Sequence, residues 1–225
     1  MTGHARAVDA EAFVAAHTRL RPVPFVPEVL LHLADDPHPL WARTGGEPPF
    51  WAVAWAGGQA LARHLVDHPE LVAGRRVLDL AAGSGLVGIA AALAGAAAVT
   101  ATDVDPYAVA AIGVNAAANG VAVDARLVDL AHHGAASDPA AVLTDAAIVL
   151  AGDVFYDRRL AALVLPVLER AAVAGADVLV GDPRRRAAYL PRTRFEPVAT
   201  YRVQVAAAVE DEPVKEVTLW RPAGR

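Results

Sequence analysis

Two carboxylates bracket a turn of small residues near the middle of the chain, a spacing that could grip a small charged ligand. Val77-Leu78-Asp79-Leu80 is an apolar run carrying one acid, followed by Ala81-Ala82-Gly83-Ser84-Gly85 and then Leu86-Val87-Gly88. A strand that runs into a glycine turn and then a helix brings backbone amides and Asp79 to the mouth of an α/β sheet. Gly83, Gly85 and Gly88 also spell the dinucleotide fingerprint, in which the helix N-terminus meets a pyrophosphate. Asp79 would push negative charge into that anion site. A ligand with a sulfonium cation, an ammonium group and ribose hydroxyls suits the acid better, and the glycines then serve close backbone approach. Asp103 closes the next apolar run, Val99-Thr100-Ala101-Thr102, where a carboxylate can accept two hydrogen bonds from a ribose diol. A dinucleotide remains the rival ligand.

A second constellation is Gly152-Asp153-Val154-Phe155-Tyr156-Asp157, which follows an apolar run and so falls at the carboxyl edge of the sheet, where ligands of open α/β sheets lie. Asp153 has two readings: it caps the following helix with Tyr156 packed against it, or it hydrogen-bonds and orients an incoming nucleophile. Upstream, Pro49-Phe50-Trp51-Ala52-Val53-Ala54-Trp55-Ala56-Gly57-Gly58 puts aromatics beside a Gly-Gly turn. They either fold over the open side of a nucleoside or plug the N-terminal extension against the sheet.

The elements that must position these groups follow from periodicity. The core alternates: helix 57–68, strand 75–80, helix 86–94, strand 97–102, helix 106–118, strand 123–128, strand 146–151, helix 158–173 and strand 176–181. Such alternation implies a parallel sheet with helices on both faces. Val198 to Ala206 and Glu216 to Trp220 flank Glu210-Asp211-Glu212-Pro213 with no helix between them, so they should pair as an antiparallel hairpin. The expected fold is therefore α/β, a Rossmann-like sheet of seven mostly parallel strands closed by a C-terminal hairpin. Residues 1–50 read as a helical and loop extension, and 51–225 as the main domain. Within the extension, Asp9 to Leu20 is expected to be an amphipathic helix with Phe13, Ala16, His17 and Leu20 on one face. Glu28 to Leu33 is expected to be helical again, and Asp35 to Phe50 to be a loop.

Composition narrows the function classes. The chain has 225 residues and a net charge of −5, which argues against a broad nucleic-acid surface. It contains no cysteine, which removes thiol catalysis and cysteine-held metals, and Lys215 is its one lysine. Leu86 to Thr102 is uncharged, but its glycines and alanines suit a helix followed by a buried strand better than a membrane span. With no secretory leader in view, the cytoplasm is the expected compartment. His64 and His68 lie one helical turn apart without the glutamate of a zinc protease, so a solvated helix face is expected rather than a metal. His132-His133 and Arg184-Arg185-Arg186 read as loop groups that could line a pocket or meet substrate acids.

The acid pair around the glycine turn resembles the class I S-adenosylmethionine-dependent methyltransferases. The ordered set of the aromatic segment from Pro49 through Trp55 to Leu61, Val77 to Leu80, Asp103-Val104-Asp105-Pro106, Gly152 to Asp157 and Gly181-Asp182-Pro183 resembles the seven-strand protein lysine methyltransferases. Within these it is most similar to the electron transfer flavoprotein beta-subunit lysine methyltransferase family, over roughly residues 45 to 220. The resemblance implies S-adenosylmethionine as cofactor, no metal, and catalytic roles for Asp153 and Tyr156. It implies cofactor contacts at Trp55, Asp79, Ala81, Gly83, Gly85, Asp103, Asp129 and Gly152. The implied acceptor is a lysine on a protein, electron transfer flavoprotein beta subunit first and a ribosomal protein second, with the enzyme acting as a monomer and without nucleic acid or membrane. Two departures stand out: Ala81 replaces the motif's first glycine and should need φ below zero, and the N-terminal 40 residues match nothing in the family. The Asp-Pro-Pro-Tyr motif of amide and adenine-amino methyltransferases is missing. A small-molecule N- or O-methyltransferase is the alternative with the same cofactor, and a nucleoside sensor without turnover is a further one.

Overall fold

Seven strands form one sheet in the order β5-β4-β3-β6-β7-β9-β8, and two further strands form a separate hairpin, in the computed structural model. It describes residues 3–44, 48–131, 145–183, 189–205 and 212–224. The elements are α1 (Gly3–His17), β1 (Arg19–Val23), β2 (Val26–Leu33), α2 (His38–Trp41), α3 (Ala56–Asp67), β3 (Arg76–Leu80), α4 (Leu86–Leu93) and β4 (Ala98–Asp103). They continue with α5 (Pro106–Ala118), β5 (Asp124–Leu127), β6 (Ile148–Gly152), α6 (Arg158–Val173), β7 (Asp177–Pro183), β8 (Phe195–Gln204) and β9 (Val214–Pro222). Strands β3 to β7 pair in parallel, while β9 is antiparallel to both β7 and β8. The expected architecture is met, with strand order reversing around β3, the switch point where such sheets bind ligands.

The central strands β3, β6 and β7 are buried on both faces, so they are apolar runs instead of alternating ones. On one face Leu78, Val149, Val178 and Val180 pack with Val164 and Leu168 of α6. On the other, Val77, Leu150, Leu179 and Leu219 meet Leu61 and Leu65 of α3 and Val87 and Ala91 of α4. Lys215 sits on β9, between β7 and β8, and is 6% exposed.

The N-terminal region departs from expectation. Glu28 to Leu33 is not helical but lies in β2, paired to β1 from Arg19↔Leu33 to Val23↔Val26. Val26, Val29, Leu31 and Leu33 bury against Leu86, Ile89 and Ala90 of α4, which a strand's two-residue repeat achieves for Val29, Leu31 and Leu33. Prolines 22 and 27 sit within the hairpin's strands and Pro24 at its turn, places where a lost donor costs little. The edge of β2 away from β1 is satisfied by side chains of α5. Asn119 accepts from Leu30 N at 2.8 Å and donates to Leu30 O at 2.6 Å, and Asn115 accepts from His32 N at 2.7 Å. Helix α1 stops at His17, earlier than expected, so Leu20 belongs to β1 and is exposed. Its inner face is Ala10, Phe13 and Val14, packed with Trp51 and Ala111, while Ala16 faces solvent. Asp35 to Phe50 contains the short helix α2.

His64 is also corrected. It is buried, its Nδ1 2.8 Å from the Tyr201 hydroxyl, and burial lowers its pKa, whereas His68 is exposed. Among the described residues no group of three or more His, Asp or Glu could hold a metal, and no helix is long and apolar enough to cross a membrane. His132-His133, Arg184 to Arg186 and Glu210-Asp211 lie outside the described residues.

Candidate active site

Among the described residues, four helices begin at the carboxyl edge of the sheet, and each N-terminus is closed by a carboxylate of the chain itself. Asp79, buried on β3, accepts from Gly88 N of α4 at 2.8 Å. Asp105 accepts from Tyr107 N of α5 at 2.8 Å, with Pro106 at the first helical position. Asp157 accepts from Arg159 N and Leu160 N of α6, both at 2.9 Å. Asp153, at the end of β6, accepts from Gly58 N of α3 at 2.9 Å. Unpaired amides at a helix start are what an anionic ligand exploits. At α4, where a pyrophosphate would dock, the place is taken by Asp79. The edge therefore suits a ligand with positive charge and hydroxyls rather than phosphates.

The glycine turn itself is held from β4. Asp103 Oδ2 accepts from Gly83 N at 2.8 Å and Oδ1 from Asp105 N at 3.1 Å. A carboxylate has about four acceptor sites, so two bonds leave room for a diol. Burial raises the pKa of Asp103, against the lowering effect of these amides. Asp79 is pushed up to about 7, first by burial, then by the charge of Asp103, with the Gly88 amide opposing. Both acids gain if a cation arrives beside them.

Ala81 overturns its expectation. Its φ is 54°, in the left-handed region, alongside Gly83 at 53° and Gly85 at 80°. An L side chain there carries a strain of about 1–2 kcal/mol. The chain turns at this point because Ala82 N is pinned to Thr102 O at 2.9 Å and Gly85 N to Ala82 O at 2.9 Å. Gly85 needs its lack of a side chain, since a Cβ would lie 3.1 Å from Ile112. Asp129 follows β5, accepting from Ala131 N at 2.9 Å.

Asp153 resolves differently from either simple reading. It does cap a helix, but not the following one: α6 has Asp157, and Asp153 reaches across to α3. Its own φ is 56° and it is buried. This contact depends on Gly57, Gly152 and Gly181. A Cβ on Gly57 would lie 2.4 Å from Gly181 O and 2.5 Å from Asp153 Oδ2; one on Gly152 would lie 2.9 Å from Gly58 Cα. The start of α3 thus rests directly on the ends of β6 and β7. Sequence reasoning noted the Gly57-Gly58 pair as a turn and missed this crossing.

The aromatic segment divides between its two expected roles. Trp51 is 1% exposed and plugs α1 onto α5, its ring stacked 6.3 Å from Tyr107. Phe50 and Trp55 face the site instead. Trp55 Nε1 donates to Phe50 O at 2.9 Å, and the Phe50 ring lies 5.8 Å from Trp55 and 5.5 Å from Tyr156. The carbonyl of Phe50 lies 3.9 Å from where a Cβ on Gly83 would stand. The structure thus gathers Trp55, Gly83, Asp103, Gly152, Asp153 and Tyr156 at one edge, with Phe50 among them.

Comparison with known proteins finds methyltransferases. A family model for ribosomal protein L11 methyltransferase (PrmA) matches residues 64–152. The chain is 34% identical over 218 residues to the electron transfer flavoprotein beta subunit lysine methyltransferase of Xenopus laevis, covering 93% of this chain and 85% of that one. It is 30% identical over 210 residues to the Homo sapiens protein of the same name, covering 86% and 74%. Among solved structures, magnesium protoporphyrin IX methyltransferase from Synechocystis PCC 6803 with bound SAM superposes with a TM-score of 0.50 at 16% identity, over 83% of this chain and 91% of that one, a likeness of fold.

Proposed function

Since the chain belongs to the family of electron transfer flavoprotein beta subunit lysine methyltransferases, we propose that it methylates lysine side chains of a protein with S-adenosylmethionine as the methyl donor. Electron transfer flavoprotein beta subunit is the first substrate and a ribosomal protein the second, with the enzyme acting as a monomer in the cytoplasm. In this reading residues 1–50 are an extension laid on a class I domain at 51–225.

The cofactor supplies a methyl group made electrophilic by its sulfonium. The donor set at the sheet edge suits it: Asp79 and Asp103 for its cationic and diol groups, and the Ala81–Gly85 turn for close backbone approach. Trp55, Asp129 and Gly152 complete that cradle. Methyl transfer is an in-line displacement, so the chain's part is alignment and exclusion of water. A lysine side chain is cationic at neutral pH and must lose a proton before it can attack. Asp153 accepts a hydrogen bond from the acceptor amine and balances the positive charge that grows on nitrogen as the methyl arrives. Tyr156 walls the approach.

The observation that carries this reading is the seating of Asp153, buried, at φ 56° and fixed by the Gly58 amide beside the glycine turn. The exposure of Phe50 and Tyr156 at the rim favours a protein acceptor over a small molecule enclosed in a pocket. The test is mass spectrometry of purified beta subunit after incubation with enzyme and cofactor. Methyl-sized mass gains on lysine are expected, and Asp153→Ala should abolish them while cofactor affinity holds. No gain on lysine removes this substrate, and an active Asp153→Ala enzyme removes the role of Asp153.

A further inference from the structure

We infer that Phe50 is an acceptor-contact residue: with Tyr156 it forms an aromatic ridge along which the stem and amine of the substrate lysine lie. This rests on the lysine reading above and adds to Asp153 and Tyr156 a third residue that meets the acceptor.

The 3₁₀ turn Phe50–Ala52 sends its side chains in opposite directions. Trp51 and Ala52 are buried, while Phe50 is 40% exposed. The Phe50 ring is not exposed singly: it adjoins the half-exposed Tyr156 ring, so the two form one aromatic patch at the rim. Its position is not loose. Trp55 donates its indole N–H to the Phe50 carbonyl, and the Phe50 ring contacts the rings of both Trp55 and Tyr156. Tyr156, 38% exposed, follows Asp153 by less than one helical turn. The ridge therefore lies beside the Gly83 turn, which Phe50 O approaches, and ends on Tyr156, three residues after Asp153 in the loop that follows β6.

Lysine matches such a ridge in two ways. Its four methylenes cover apolar surface while the head group reaches a polar one. Its ammonium, and the alkylammonium formed by transfer, are attracted to aromatic faces within about 6 Å.

The test uses the full chain with wild-type, Phe50→Ala, Phe50→Leu and Phe50→Tyr enzymes, the beta subunit as acceptor, and calorimetric titration of S-adenosylmethionine. Phe50→Ala should raise the acceptor KM about tenfold with kcat and cofactor affinity changed by less than about threefold. Phe50→Tyr should restore KM to within about threefold of wild type. Phe50→Leu keeps apolar bulk should the alanine variant fold poorly, and its KM should rise as well because the π face is gone. An unchanged KM in Phe50→Ala or Phe50→Leu overturns the inference, as does cofactor affinity falling in step with KM. A wild-type enzyme that places no methyl on lysine overturns the parent reading and this one together.

Discussion

Adjacent glycines at the start of α3 should respond to alanine in opposite directions. A Cβ on Gly57 would stand 2.4 Å from the Gly181 carbonyl oxygen and 2.5 and 2.8 Å from Oδ2 and Cγ of Asp153. The carbonyl belongs to β7, which is paired on both sides, to β6 through Gly152 and to β9 through Leu219. It cannot retreat without breaking the sheet, so helix and strand must part or Asp153 must swing away. Overpacking of this kind costs about 1–3 kcal/mol. Loss of the hydrogen bond from Gly58 N to a charged acceptor adds about 1.5–3 kcal/mol, and helix propensity returns at most about 1 kcal/mol. Gly57→Ala should therefore lose about 2–5 kcal/mol. A Cβ on Gly58 meets only Leu86 and Val87 methyls, both at 3.8 Å. Gly58→Ala should be neutral or gain up to about 1 kcal/mol. Thermal unfolding of both variants reads the difference, at about 2–4 °C per kcal/mol for a chain of this size. If Gly57→Ala melts within about 2 °C of wild type, or Gly58→Ala falls as far as it does, the close crossing of α3 over β6 and β7 is wrong.

Two further outcomes follow from buried polar groups. Asp79, raised to about 7, is protonated below that pH and charged above it. A cationic cofactor should bind more tightly as pH rises through 7, by at most about tenfold per unit, with a proton released on binding; Asp79→Asn should flatten the profile in calorimetry. The sign for the unliganded fold is the reverse: a carboxyl whose folded pKa exceeds its unfolded one contributes stability at acid pH that is lost as pH rises through about 7. Asn115 is fully buried, accepting from His32 N and donating to Ser84 O at 2.9 Å. Asn115→Ala leaves both backbone groups unpaired and should cost about 2–4 kcal/mol in urea unfolding; a loss under about 1 kcal/mol would show that the Asn115 bonds are not what seats the hairpin.

The parallel core was legible because strands buried on both faces are uninterrupted apolar runs and helices repeat at their own period. The expected span of α5 matches its observed one, since Asp105-Pro106 marks its start in local chemistry. The N-terminal hairpin was not legible as such. Prolines there look like breaks, and what satisfies β2 comes from Asn115 and Asn119, far along the chain. The same limit applies to Asp153: its capping partner Gly58 is 95 positions away, and nothing local to either residue announces the other. Phe50 and Trp51 are neighbours of one chemical type whose separate fates depend on which way a single turn faces. His64 sat on a face that looked solvated until β8 brought Tyr201 to it.

The lone lysine on β9, walled in by strands on both sides, gives this catalyst an unusual privacy. An enzyme that acts on amines keeps its one lysine out of solvent, so self-methylation on lysine should be minimal beside that of its client. In a radiolabelled lysate, the enzyme's own band on the gel becomes a built-in blank.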